Sequence, residues 1–350
     1  MFYNHSDHST DMNKEVLHSL NEFGKYYSVI VTHHLMDSSS KQFIGKKNHE
    51  CRFCGRPFPQ VSFKSDAHAL PHFIGNNKLF TNQECNTCNN KFGRLLETEF
   101  AKYMHLNHTV SGVRGKTGFP EFKRHDAKIT TTGSFIDWKD IPEENLDFDQ
   151  TSGVLTVKQI MPTFIPIAVY KCFVKMAMTL MPDEELINFE DTLSWINEED
   201  HKTSIFSFKH LWLLHGNVQT TERFTGISAL LVKRRENTDR TQPFMMFRLT
   251  YGTSIFQIPL PLSKEDESIS HNIVPYIPNL HDLEHGYGKI QFHLSNFNNI
   301  EAQKGVEMIL KFTDLDGTGT MQYIDESDNA DENQASKEDN FGLPPNQILH

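Results

Sequence analysis

At 350 residues the chain is long enough for two domains, and 37% hydrophobic residues with 27 Phe fit packed globular structure and exclude wholesale disorder. A net charge of −11 argues against a general nucleic-acid binder until it is divided along the chain. Residues 1–125 hold 16 Lys and Arg against 11 Asp and Glu, whereas residues 126–350 hold 18 against 34, so polyanion binding is expected only in the basic first third.

Met1 to His8 shows no basic region followed by an apolar stretch, which predicts a cytoplasmic protein without a leader. A short helix is expected over Met12–Phe23 and a strand over Tyr26–Thr32, with Met36–Gln42 as a loop. Residues 1–48 thus read as an N-terminal extension. The next unit, 49–120, carries the pairs Cys51-Arg-Phe-Cys54 and Cys85-Asn-Thr-Cys88. Val61–Lys64 reads as a strand, Gly75-Asn76-Asn77 as a turn, and the run from Asn89 to Met104 as a helix. Phe92, Leu95, Leu96, Phe100 and Tyr103 recur on one face of that helix. Ser111–Pro120 is a glycine-rich, basic connection without the spacing of a nucleotide P-loop.

Residues 121–322 read as a mixed α+β domain with antiparallel strands. A hairpin is expected from Lys128–Asp137 and Gly153–Ile160. Two helices follow, Ile165–Met181 and Asp183–Asn197, broken at Pro182 with Asp183 as the N-cap. Lys171 and Lys175 interrupt the first of these and exclude a membrane span. Strands are expected at Ser204–Phe208, Gly226–Lys233, Phe244–Thr250, Ser254–Pro259 and Lys289–Leu294, with a hairpin turn at Tyr251-Gly252-Thr253. Residues 323–350 form an acidic tail of disordered composition. Asp314–Asp325 follows calcium-loop spacing, but Asp at the twelfth position favours a plain glycine-rich turn.

Four thiolates in two Cys-x2-Cys pairs can close a tetrahedral site with no position left for water, the pattern of structural zinc. Cys51, Cys54, Cys85 and Cys88 are therefore the expected ligands, and Cys172, in an apolar run, is a buried core thiol. His68 lies between the pairs, in Asp66-Ala67-His68-Ala69-Leu70-Pro71. A neutral imidazole can accept a proton near pH 7, and Asn89 follows the second pair directly.

Asp66-Ala-His-Ala-Leu-Pro, Ile74-Gly-Asn and Cys85-Asn-Thr-Cys-Asn-Asn-Lys-Phe-Gly-Arg94 together resemble the HNH endonuclease family in its zinc-knuckle form, over residues 49–105. The resemblance implies a ββα-metal fold, with His68 as general base and Asn89 as ligand to a catalytic Mg²⁺ or Mn²⁺. Many members have an acid or His directly before the base, where this chain has Ala67. Asp66 is the nearest substitute, with His72 and Glu97 as other donors, and Asn76, Asn77 and Asn82 all match the pattern's middle asparagine. Lys78, Lys91, Arg94, Lys102, Arg114 and Lys116 are candidate phosphate contacts.

The resemblance implies hydrolysis of DNA phosphodiesters, with genome defence as the setting by analogy. The acidic region is then a partner-binding or regulatory domain. Two rival readings are a non-catalytic zinc module binding nucleic acid or protein, with Ala67 marking a degenerate site, and an RNA-cleaving toxin.

Overall fold

The computed structural model describes residues 17–47, 49–115, 118–124, 127–132, 136–218, 224–236, 238–266, 274–278, 290–313 and 320–324. Helix α1 (17–26) leads into strand β1 (Tyr27–Leu35). The expected helix start at Met12, Lys116, most of the Asp314–Asp325 loop and the tail from 325 onward lie outside the described residues.

Strands β2 (Gln42–Ile44), β3 (Ala67–His68) and β4 (Leu79–Thr81) form a small sheet in the order β2–β4–β3. β3 and β4 pair antiparallel, with His68 opposite Phe80. The helix that follows is one rod: α2 (Asn86–Phe92), a π turn over Gly93–Glu97, and α3 (Thr98–Ser111). Phe92, Leu96, Phe100 and Tyr103 are buried along it, as their spacing predicts. Val61–Lys64 is not a strand. The start of α2 takes its backbone groups instead: Asn86 N–H donates to Ser62 O, and Asn86 Oδ1 accepts from Lys64 N–H at 2.9 Å.

Beyond the rod come β5 (Phe122–Arg124), β6 (Ala127–Thr131) and β7 (Ile136–Lys139), a three-stranded meander. Strands β8 (Leu146–Asp149) and β9 (Val154–Ile160) form a hairpin in a different sheet, so the expected pairing of 128–137 with 153–160 does not occur. The nearer turn wins: Asp149 accepts from Thr151 N–H and Ser152 Oγ, and Gly153 adopts φ 70°.

Helix α4 (Pro166–Leu180) is buried along its whole length, and α5 (Glu190–Asn197) follows a 3₁₀ turn, Asp183–Phe189. Asp183 does not cap that turn. Pro182 holds the cap position, and the Asp183 carboxylate pairs with Arg52 at 2.6 Å and Lys46 at 3.2 Å.

The main sheet is antiparallel, in the order β1–β11–β12–β13–β10–β14, from β10 (Trp212–Val218), β11 (Phe224–Arg234), β12 (Met245–Gly252), β13 (Ser254–Pro259) and β14 (Ile290–Asn296). Tyr251-Gly252-Thr253 makes the expected turn, with Tyr251 opposite Ser254. Ser204–Phe208 is irregular, its backbone turned by Phe206 N–H donating to Ser204 Oγ. β10 escaped the sequence reading because Gly216 and Asn217 weaken its pattern. A Cβ at Gly216 would lie 2.5 Å from a Phe292 ring carbon, so glycine is what lets β14 pack there. Strands β15 (Glu307–Thr313) and β16 (Thr320–Ile324) complete the sheet β16–β15–β9–β8.

The fold is thus α+β, as expected. One apolar core runs across residues 48 and 120. β1 forms the edge of the main sheet, and the rings of Phe100 on α3, Phe173 on α4 and Phe256 on β13 pack within 5.7 Å of one another. Polar bridges bind α3 to the same sheet, His108 Nε2 to Tyr251 Oη at 2.9 Å among them.

Candidate metal centre and active site

The sulfurs of Cys51, Cys54, Cys85 and Cys88 all lie within 4.8 Å of one another, and Cys54 Sγ is 3.9 Å from Cys85 Sγ. Tetrahedral Zn–S bonds of about 2.3 Å place sulfurs roughly 3.8 Å apart, so the set fits structural zinc. Backbone N–H groups already point at the sulfurs: Cys85 N–H donates to Cys51 Sγ and Cys88 N–H to Cys85 Sγ, each at 3.4 Å. The Cys88 thiol, together with such donors and against burial, pulls Cys51 down to about 4, whereas burial pushes Cys85 up and the bond to Cys51 pushes Cys88 up, so the cluster favours one thiolate. Burial pushes Cys172 well above its ordinary range, so the fifth cysteine is the inert core thiol expected.

The hairpin beside this centre is stapled by Asn76. Its Nδ2 donates to Leu70 O at 2.7 Å and Leu79 O at 2.9 Å, while its Oδ1 accepts from the N–H groups of Lys78 and Leu79. One buried amide therefore ties the segment just after β3 to β4, and of the three candidate asparagines Asn76 makes this staple. Asn82 instead donates to Gly45 O, and Asn77 is exposed. Asn86 does the corresponding work between hairpin and helix, with Nδ2 donating to Ser65 Oγ at 3.0 Å. His72–Ile74 forms a 3₁₀ turn that Gly75 ends at φ 96°, a conformation that favours glycine.

Ala67 is buried at 1%, whereas Asp66 is exposed and His68 half-buried. Strand alternation thus puts Asp66 and His68 together on the open face, and the side chain of residue 67 in the core. The Asp66 carboxylate lies 3.6 Å from Lys41 Nζ. The His68 ring packs against Phe80 at 4.7 Å and edge-on to His72 at 5.1 Å. Burial first, then His72 and Lys175, push His68 down to about 4, with Asp66 pulling the other way. Asn89 sits half-exposed in α2, its carbonyl accepting from Gly93 N–H at the entry to the π turn. Among the described residues, the four cysteines are the one group of three or more His, Cys, Asp or Glu drawn close enough to share an ion.

The second half of the chain enters the site directly. Lys175, buried in α4, places Nζ 3.0 Å from Glu84 and 3.8 Å from Glu97, and 3.4 Å from the His68 carbonyl. Burial opposes the charge of Lys175, but Glu84 and Glu97 outweigh it and raise its pKa; burial lifts Glu84 to about 7. Glu97 is therefore a partner of Lys175. Arg52, inside the first Cys-x2-Cys pair, donates through Nη1 to Met178 O, Thr179 O and Met181 O, closing the last carbonyls of α4. Asn197 donates to Phe53 O and accepts from Lys91 Nζ at 2.7 Å.

The expected phosphate contacts divide accordingly. Lys91 is held by Asn197, Arg94 lies 4.0 Å from Glu199, and Lys102 pairs with Glu99 at 2.7 Å. Lys78 and Arg114 form no ion pair among the described residues. Sequence reasoning missed Glu84, Lys175, Arg52, Asn86 and Asn197. A signal existed for Lys175, since a lysine inside an apolar helix is buried only with a partner.

Residues 51–105 match the model of the HNH endonuclease family. No curated protein and no solved structure matches the chain. Among the described residues no helix is long and apolar enough to cross a membrane.

Proposed function

We propose that the chain is a metal-dependent endonuclease acting on DNA inside the cell, with His68 as the general base. The observation that carries this reading is the assembly of β3, β4 and α2 beside the four-cysteine centre, with His68 and Asp66 on its open face, in the segment that matches the HNH endonuclease family. Asn89 and Asp66 would hold the divalent cation. They are hard oxygen donors, and Mg²⁺ usually takes only one or two protein groups, with phosphate oxygens and water completing its shell. When bound, that cation offsets the charge building on the phosphate and leaving oxygen.

His68 is neutral throughout the physiological range, so its ring nitrogen is free to take a proton from the attacking water. A base near 4 is weak, but a phosphate anion brought beside it favours the imidazolium and raises its proton affinity as the reaction proceeds. Lys175 holds the His68 carbonyl and the Phe80 ring packs against its imidazole, which together limit rotation of the strand and of the base it carries.

The test is cleavage of plasmid, single-stranded DNA and RNA with added Mg²⁺ or Mn²⁺, comparing wild type with His68→Ala at equal zinc content. Metal-dependent nicking that His68→Ala abolishes is the expected result. Binding without cleavage under every metal would move the assignment to a zinc-stabilised binding module, and cleavage confined to RNA to a ribonuclease.

A further inference from the structure

Next to His68 the molecule opens into a cleft of about 550 Å³, within the range of roughly 300–1,000 Å³ typical of small-ligand sites. Its walls are the loop joining β3 to β4, the end of α3, and the main sheet at β1, β11 and β12. His72 lines it, and the ring of the proposed base, His68, packs edge-on to His72 at 5.1 Å. His72 Nδ1 is buried and has no hydrogen-bond partner among the described residues.

Lys78 and Arg114 line the same cleft, the two candidate cations that no acid claims among the described residues. The Arg114 guanidinium lies over the Phe119 ring at 4.7 Å, making a flat, positive surface on the wall. The end of α3 does not repel an anion strongly, because Gly112 and Val113 N–H close the carbonyls of Thr109 and His108. Asp37 adds one carboxylate, so the lining carries two cations against one anion. That surplus of positive charge, a stacking plane and a few neutral polar groups are what recognise a phosphate bearing a base.

We propose that this cleft holds a nucleoside phosphate, presented as the unpaired nucleotide beside the scissile bond of the substrate strand, an inference that rests on the nuclease reading. Lys78 and Arg114 meet its phosphate, and the base stacks on the Arg114–Phe119 surface. A duplex is too wide to enter, so the site selects a frayed or single strand.

The experiment uses the full chain carrying His68→Ala, zinc-loaded and without Mg²⁺ or Mn²⁺. Fluorescence anisotropy follows a labelled single-stranded oligothymidylate and the matching duplex, with free thymidine monophosphate as competitor. The single strand should bind more tightly. Lys78→Ala and Arg114→Ala should each weaken it at least fivefold and lower the slope of log K against log[salt] by about 0.7. Phe119→Ala should weaken binding several-fold and leave that slope unchanged. Unchanged binding in the Lys78 and Arg114 variants overturns the proposal. Displacement of the strand by micromolar free nucleotide also overturns it, assigning the cleft to a free ligand. The two readings fail separately. Cleavage by the otherwise wild-type chain with KM unaltered in Lys78→Ala and Arg114→Ala sinks the cleft alone, whereas cleft-dependent binding with no cleavage under any metal sinks the nuclease alone.

Discussion

Replacing Lys175 by Met keeps the volume of the α4 side chain and removes the one cation between Glu84 and Glu97. The Glu84 side chain is fully buried and the Glu97 side chain is 24% exposed, so solvent cannot take over from the lysine. Breaking a buried pair by removing one partner costs about 3–5 kcal/mol. Glu84 can relieve part of this by taking a proton, since its pKa of about 7 already lies near neutrality, which favours the lower figure. At about 2–4 °C per kcal/mol for large domains, with a chain of this length toward the lower value, Tm should fall by roughly 6–10 °C. The double variant Lys175→Met with Glu84→Gln should recover about 1 kcal/mol or more of the loss, because it leaves no unpaired charge at that position. Calorimetry or urea unfolding on the four corners of this cycle reads the coupling. A Lys175→Met protein as stable as wild type, or strictly additive effects, would refute the claim that α4 is pinned to the hairpin by charge.

Elemental analysis should find one zinc per chain, and Cys85→Ser with Cys88→Ser should abolish it and reduce the helical signal of α2. The loss should spread to α4, whose terminal carbonyls depend on Arg52 in the first cysteine pair; retention of wild-type Tm without zinc would contradict this. Burial holds His108 and His215 near 3 and His201 near 4 in the fold, against about 6.5 when unfolded. Between pH 6.5 and 4 the unfolded chain therefore binds three protons that the native chain refuses, opposed by the one that native Glu84 takes near 7, so stability falls as pH drops below 6.5. Urea unfolding at pH 7.5, 6 and 5 should show that decline, with His108→Gln removing up to one proton from its slope; a flat profile would refute it.

The cysteine ligands were legible because their spacing alone closes a tetrahedron, whatever surrounds them. The ββα order, with His68 on its hairpin, was legible through motif context, but not the strands themselves; the role of His68 stays a proposal. β3 has two residues and β4 three, too few for any alternation to register. Asn76 could not be told from Asn77 or Asn82 by composition, since what singles it out is its reach to Leu70 O, just beyond β3, and to Leu79 O on β4. Glu84, Lys175 and Arg52 were illegible for a different reason. Their pairing joins elements far apart in sequence, and only the lysines of α4 hinted that acids must meet them.

The charge division of the sequence carries a further lesson. A basic first third and an acidic remainder suggested separate bodies, one facing DNA and the other turned away from it. In the fold the two halves meet through their polar groups: Asp183 takes Arg52 and Lys46, the Asn197 amide oxygen accepts from Lys91, and Glu199 approaches Arg94. Exposed pairs such as Arg94–Glu199 add little stability, yet they occupy cations that a strand would otherwise use. Among the described candidate cations, Lys78 and Arg114 are the ones no acid claims, and both line the cleft that His72 borders. A fragment ending near Lys123 would lose α4 from its core and uncover Lys91 and Arg94 together. Tight DNA binding by such a fragment would then report exposed charge, and would say nothing of where the intact protein holds its substrate.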